Sequence, residues 1–188
     1  AIDEAYAEFS GASHFELANT YDNVVLLKTM SKFAGLAGYR VGYGVFPDAL
    51  VPWVRRAAPA FYNVSAISAA VAVASLDDLG HLGQNVATLI GERDRLVQDL
   101  SALPGVEVFD SATNFVLCSL PVTEGKAVTD QLEAQKVYVR RYSGALSNCI
   151  RVTVGLPREN TAFLDALRDA LSRVSRAERV PEQTGEHT

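Results

Sequence analysis

Only two cysteines and one methionine occur in the 188 residues, and no run of lysine and arginine is long enough to follow a phosphate backbone. Each scarcity removes a class of protein. Cys118 and Cys149 lie far apart in apolar surroundings without metal-ligand spacing. Zinc sites and disulfide scaffolds therefore drop out, and the expectation is two core thiols in a reducing cytoplasm. With 17 basic residues against 22 acidic ones, net charge −5, nucleic acid is not an expected partner. The apolar run "AISAAVAVASL" (66–76) stops at Asp77 and Asp78. That is short of the roughly 18 to 20 residues of a membrane span, so it reads as a buried helix and no membrane contact is expected. The opening "AIDEAYAEF" lacks both an initiating methionine and a polar lead-in, as though already leaving a strand. A piece from the interior of a longer chain is expected.

What is present is apolar enough, at 48%, for a real core. "VVLLK" (24–28) reads as a strand buried on both faces and "RVGYGVF" (40–46) as another, which places the first part of the chain in an α/β sheet. Pro47 and Asp48 open a helix over about 48–60 that Pro59 breaks, and Ser65 caps a second over 65–77. Between Gly80 and Leu103 apolar residues recur at helical spacing until Pro104 and Gly105 end the pattern. The texture then changes to an α+β alternation. Strands are expected at 106–109, 114–120, 137–142 and 149–156, with helices over 124–136 and 159–176. The domain reading is a partial large α/β domain with a mixed, mostly parallel sheet (1–78), a bridging helix with a small α+β domain (79–176), and a disordered tail (177–188).

Lys32 stands in "TMSKFAGLAGYRVGYG" (29–44) among small and apolar neighbours. Loss of hydration disfavours the ammonium form and favours a nucleophilic amine. A surface lysine laying its stem on the protein is the plain alternative. Eight residues on, with Gly35 and Gly38 allowing a tight turn, Arg40 offers a fork of donors that suits a phosphate, with Thr29 and Ser31 as hydroxyls on the near side. Upstream, "DEAY" places Asp3 three residues before Tyr6. A carboxylate and a phenol together suit a cofactor with a ring nitrogen and a ring oxygen, although Asp3 could equally cap the following helical turn.

Taken in order, "DEAY", "TMSKFAGLAGYRVGY", "VRR" and "IRVTVGLPREN" resemble the fold-type I aminotransferases that use pyridoxal 5′-phosphate, most of all the branch of histidinol-phosphate and aromatic aminotransferases. The likeness runs from residue 1 to about 176 and corresponds to the carboxyl-terminal half of such enzymes. It implies that Asp3 holds the cofactor's pyridine nitrogen and Tyr6 its ring oxygen. Lys32 would be the Schiff-base lysine and acid/base, with Thr29, Ser31 and Arg40 around the phosphate. Arg151 would bind the anionic end of the substrate, with Arg140 assisting and Asn114 on the substrate side. The implied reaction moves an amino group between an amino-acid or amino-alcohol phosphate, or an aromatic donor, and a 2-oxo acid, in a cytoplasmic homodimer. A decarboxylase of the same fold and a non-catalytic module that pairs with a separate amino-terminal half are the alternatives.

Overall fold

A computed structural model describes residues 1–58, 61, 63–122 and 125–178. Pro59 and the tail from 179 onward lie outside them. The chain divides into two compact units, 1–90 with 112–114, and 91–111 with the residues from 115 onward. The division falls inside a long helix, α5 (Leu79–Ser101), whereas the sequence places its boundary ahead of that helix.

In the first unit, β1 (Ile2–Asp3) pairs parallel with β2 (Leu26–Thr29), and β3 (Gly42–Val45) pairs antiparallel with the other edge of β2. The sheet is thus mixed. Two short helices, α1 (Ala7–Ser10) and α2 (Phe15–Thr20), connect β1 to β2. The expectation that β2 is buried on both faces is not met, since Leu26 is fully buried but its neighbour Leu27 is exposed. After β3 come α3 (Val51–Ala57) and α4 (Ala66–Leu76). Ser65 caps α4 as its sequence predicts, its Oγ accepting a hydrogen bond from Ser68 N at 3.0 Å. The same helix corrects the reading of a buried segment. Only Ser68 and Ala72 are buried, while Ile67 is 71% exposed and Val73 59%. Alanine favours the helical state, but burial needs a partner surface, and among the described residues none covers this face.

The second unit contains a four-stranded antiparallel sheet in the order β4 (Glu107–Val108), β5 (Phe115–Ser119), β7 (Cys149–Thr153), β6 (Arg140–Arg141). Helices α6 (Lys126–Ala134) and α7 (Pro157–Glu178) pack on each other. Alternation along β5 and β7 buries Val116, Cys118, Ile150 and Val152 on one face and leaves Phe115, Leu117 and Arg151 half-buried on the other. Cys118 is register-paired with Ile150 and Cys149 with Ser119, so the two thiols point to opposite faces and cannot be bridged. Burial pushes the Cys118 thiol up to about 12, as suits a core residue rather than a nucleophile.

The two units bury apolar side chains very unequally. Of the 24 buried apolar residues among those described, six (Phe9, Leu26, Met30, Leu36, Ala72, Val86) lie in the first unit and 18 in the second. At about 1.5 to 3 kcal/mol per large side chain, the second unit holds most of the hydrophobic stabilisation.

Candidate active site

Lys32 sits on a closed loop between β2 and β3. Met30 N donates to Val41 O (3.0 Å) and Leu36 N to Met30 O (3.1 Å), so the chain leaves and re-enters the core within seven residues. Met30 and Leu36 pack with Ala72 of α4 and with Phe33, Ala34, Val41 and Val71, fixing both ends of the loop. The run of small residues does not bury the lysine. Gly35, Ala37 and Gly38 are exposed and Lys32 itself is half-buried. Its Nζ lies 5.6 Å from the ring centroid of Tyr6, a cation–π contact that brings two of the expected residues together.

Tyr6 and Asp3 are placed by the turn that ends β1. Ile2 N donates to Val25 O and Glu4 N to Leu27 O, both at 2.8 Å, after which Asp3 Oδ1 accepts from Ala5 N at 2.9 Å. Asp3 therefore shapes the turn locally, and the cap position of α1 is Tyr6. Both residues line a cleft of about 360 Å³ whose far wall includes Ala112 and Thr113. Asn114, which follows them, belongs to the same unit.

Thr29 Oγ1 accepts from Ser31 N (3.1 Å) and donates to Val41 O (3.3 Å), so its proton is committed to the loop it helps to close. Arg40 has φ 57, a left-handed conformation that glycine favours, and its Nη1 donates to Ala37 O at 3.0 Å. Of the two turn glycines, Gly35 has positive φ but Gly38 does not, and the strained position at the end of the turn is the arginine itself. Such outliers persist where surrounding structure over-determines them.

Arg151 and Arg140 belong to the second unit. They are direct cross-strand partners on β7 and β6, and Leu117 lies opposite Arg151 on the other side. Like charges placed opposite each other destabilise a sheet unless something negative is set between them. Among the described residues neither arginine has a carboxylate partner. The guanidinium of Arg151 instead lies 4.8 Å from the Phe115 ring centroid, and that of Arg140 6.0 Å from the Tyr142 ring. Glu159, at the start of α7, accepts from Leu156 N at 2.8 Å.

Two charged networks escaped the sequence reading. Glu4 is 4% exposed, and its carboxylate accepts from His14 N and, at 3.2 Å, from Lys28 Nζ, which also meets Glu8 Oε1 at 3.0 Å. The available signal was a charged residue, Lys28, at the end of the apolar run "VVLL". Burial works against the charge on Glu4, but His14 and Lys28 outweigh it and hold the carboxyl below its usual range. Burial likewise opposes the Lys28 ammonium, and Glu8 with Glu4 more than compensates, holding it above its usual range. A depressed carboxyl stabilises the fold above the ordinary value of about 4.3 and loses that contribution as pH falls through its lower folded-state value. The raised amine contributes fully below about 10.4 and loses its share as pH rises past its folded-state value. Stability from this network is therefore flat across neutral pH and falls in acid below the ordinary carboxylate range. An acid titration followed by circular dichroism should show it, with a shallower acid limb in Glu4→Gln.

In the second unit, Asn160 is 2% exposed. It donates to Glu92 Oε2 (2.8 Å) and Gly155 O (3.0 Å) and accepts from Gly155 N (2.9 Å), while Arg95 Nη2 bridges Glu92 Oε2 (2.7 Å) and Pro157 O (3.2 Å). Arg95 and Asn160 hold the Glu92 carboxyl below its usual range. Among the described residues no cluster of histidine, cysteine, aspartate and glutamate could hold a metal ion, and no helix is long and apolar enough to cross a membrane.

Residues 1–167 match the family Aminotransferase class I and II, and the chain belongs to it. A histidinol-phosphate aminotransferase of Roseiflexus castenholzii is 41% identical over 173 residues, which is 90% of this chain and 46% of that protein. Among solved structures, the histidinol-phosphate aminotransferase of Clostridium acetobutylicum superposes with TM-score 0.83 at 26% identity, over 92% of this chain and 54% of that one. The Sinorhizobium meliloti enzyme, solved in complex with pyridoxal-5'-phosphate, gives 0.78 at 26%, over 92% and 48%. A decarboxylase of Sulfurospirillum multivorans gives 0.78 at 26%, over 90% and 52%. The chain thus spans about half the length of the relatives it matches.

Proposed function

We propose that this chain is the carboxyl-terminal half of a pyridoxal-phosphate-dependent aminotransferase acting between an amino-alcohol or amino-acid phosphate, of the histidinol-phosphate kind, and a 2-oxo acid. The observation that carries this reading is the Lys32 amine held against Tyr6 on a loop anchored at both ends, with Asp3 in the same turn as Tyr6. The donor set fits the cofactor. Bound there, pyridoxal phosphate would supply an electron sink for negative charge developing at the substrate's α-carbon. Asp3 offers a carboxylate to a protonated ring nitrogen, and Tyr6 a phenol to the ring oxygen. Ser31 and Arg40 bring donors to the phosphate, with Thr29 holding the loop beneath them. Lys32 Nζ takes a proton from the substrate and returns it, and its fixed position replaces a bimolecular base. Arg151, with Arg140 opposite it, supplies rigid planar donors for the substrate's anionic group, with Asn114 on the substrate side. A homodimer of the complete enzyme in the cytoplasm belongs to the same proposal.

The likeness to a decarboxylase favours a second reading, in which the same lysine, aspartate and arginines act on an amino-acid phosphate. Product analysis separates the two. The chain is supplied with the amino-terminal half of a relative and offered either histidinol phosphate with 2-oxoglutarate or an amino-acid phosphate. Consumption of the 2-oxo acid supports transamination, whereas release of carbon dioxide without it from an amino-acid phosphate favours the decarboxylase. In that assay Arg151→Ala should lower kcat/KM by about 30- to 4,000-fold, matching the 2 to 5 kcal/mol typical of truncating a charge-pair partner. Arg151→Lys should fall between, because it keeps the charge and loses the fork. An Arg151→Ala variant with parent-like kcat/KM would remove Arg151 from the site.

A further inference from the structure

Glu4 lies between two residues to which the cofactor reading gives roles, and that reading gives it none. Its neighbourhood is built from very short pieces. Strand β1 has two residues and α1 four, far below the length at which a helix holds itself together. Into this thin frame the fold places a buried carboxylate whose two oxygens reach separate segments. Oε1 accepts from the backbone N–H of His14 and lies 3.3 Å from His14 Nδ1, ahead of α2. Oε2 meets Lys28 Nζ on β2, and Lys28 in turn meets Glu8 on α1. Glu4 thus ties the end of β1 to the next strand and to the loop ahead of α2, and Lys28 carries the tie on to α1.

Stability alone is a weak reason for this arrangement. Buried ion pairs replaced by well-packed apolar residues commonly leave a protein as stable or more so. What apolar packing lacks is direction. Three polar contacts of its carboxylate specify where the backbone of Glu4 sits, and with it the turn that carries Asp3 on one side and Tyr6 on the other. The Lys32 contact is made to Tyr6, so the setting of this turn also determines what the amine faces.

We propose that Glu4 is a positioning residue. With Lys28, Glu8 and His14 it fixes the Asp3–Tyr6 turn, so that carboxylate, phenol and the Lys32 amine form a ready site for pyridoxal phosphate before the cofactor arrives. The inference rests on the cofactor reading of Asp3, Tyr6 and Lys32. Glu4 touches no reacting atom and acts through its neighbours. Binding constellations tolerate only about 0.5 Å of misplacement, so a loosened turn costs affinity even in a folded chain.

The test uses the whole chain with added pyridoxal phosphate. Borohydride fixes the cofactor to its lysine, and mass spectrometry gives the cofactor concentration for half-maximal label at Lys32. Visible circular dichroism reports the asymmetry of the bound chromophore. Glu4→Gln, close in shape but uncharged, should raise the half-labelling concentration about tenfold, as loss of a residue supporting a binding group commonly does, and weaken the dichroism. Lys28→Met should do the same, and Lys28→Arg, which keeps the ion pairs, should stay near the parent in both. Amide exchange at Ala5 and Ala7 in the cofactor-free chain should be about fivefold faster in Glu4→Gln, reflecting local opening of the turn. Should Glu4→Gln fail to fold, the paired Lys28 variants decide the matter. Parent-like labelling and dichroism in folded Glu4→Gln and Lys28→Met would overturn this inference alone. A parent chain that takes no label at Lys32, with or without the supplied amino-terminal half, overturns the cofactor reading and this inference with it.

Discussion

Lys32→Ala should abolish the borohydride-fixed pyridoxal label and leave the fold intact. The chain has four lysines, and their surroundings divide them sharply. Lys28 is committed to Glu4 and Glu8, and Lys126 pairs with Asp130 one helical turn on. Lys136 sits in the left-handed region just after α6. Among the described residues, Lys32 alone of the four has its ammonium against a tyrosine ring, on a loop whose ends are buried. Because Met30 and Leu36 anchor that loop, deleting the amine should change stability by no more than about 1 kcal/mol, the worth of its contact with the Tyr6 ring. The chemical loss is of another order. Without a positioned base the rate in the complemented enzyme should fall by at least about 100- to 10,000-fold. Lys32→Arg should be equally inert, since it keeps the charge but offers no amine to the cofactor. The measurement is a peptide map after reduction, and a label persisting on Lys28, Lys126 or Lys136 in the variant would sink the assignment.

The largest effect on stability is expected at Asn160. Its amide satisfies both backbone groups of Gly155 and one oxygen of Glu92 while almost wholly buried. Alanine there leaves both backbone groups of Gly155 without their partner and Glu92 with Arg95 alone, each unpaired Gly155 group costing about 1 to 3 kcal/mol where no rearrangement rescues it. A total near 3 kcal/mol is expected. With a urea dependence of about 2 kcal/mol/M, the unfolding midpoint should drop by about 1.5 M. Asn160→Asp should be as damaging or worse, because it sets a second carboxylate where Glu92 now receives a donor. Urea unfolding followed by far-ultraviolet circular dichroism measures both, and a midpoint unmoved by Asn160→Ala would show that the network carries no net stability.

Local chemistry made part of this molecule readable in advance. Ser65 before an alanine-rich run signals a cap and the structure makes the bond, and Pro104–Gly105 ends α5 where expected. The order of "DEAY", "SKFAGLAGYR" and "IRVTVG" carries the family. What could not be read depends on partners distant in sequence. Whether Glu4 points inward is decided by the pairing of β1 with β2, and the facing of Arg140 and Arg151 by the register of β6 on β7. The exposure of α4 was hidden for a related reason. An apolar helix states that it wants cover, and only the surrounding fold says whether cover is there.

The uneven share of buried apolar residues, six against 18, has a thermodynamic consequence for the half of the chain that carries Lys32. A unit with so small a core has little stability to lose and much to gain from anything that binds its folded form. A ligand at one hundred times its dissociation constant adds about 2.7 kcal/mol to the state it binds. The melting temperature of the lysine-bearing unit is then a property of the solution as much as of the chain, and has meaning only when the cofactor concentration is given with it.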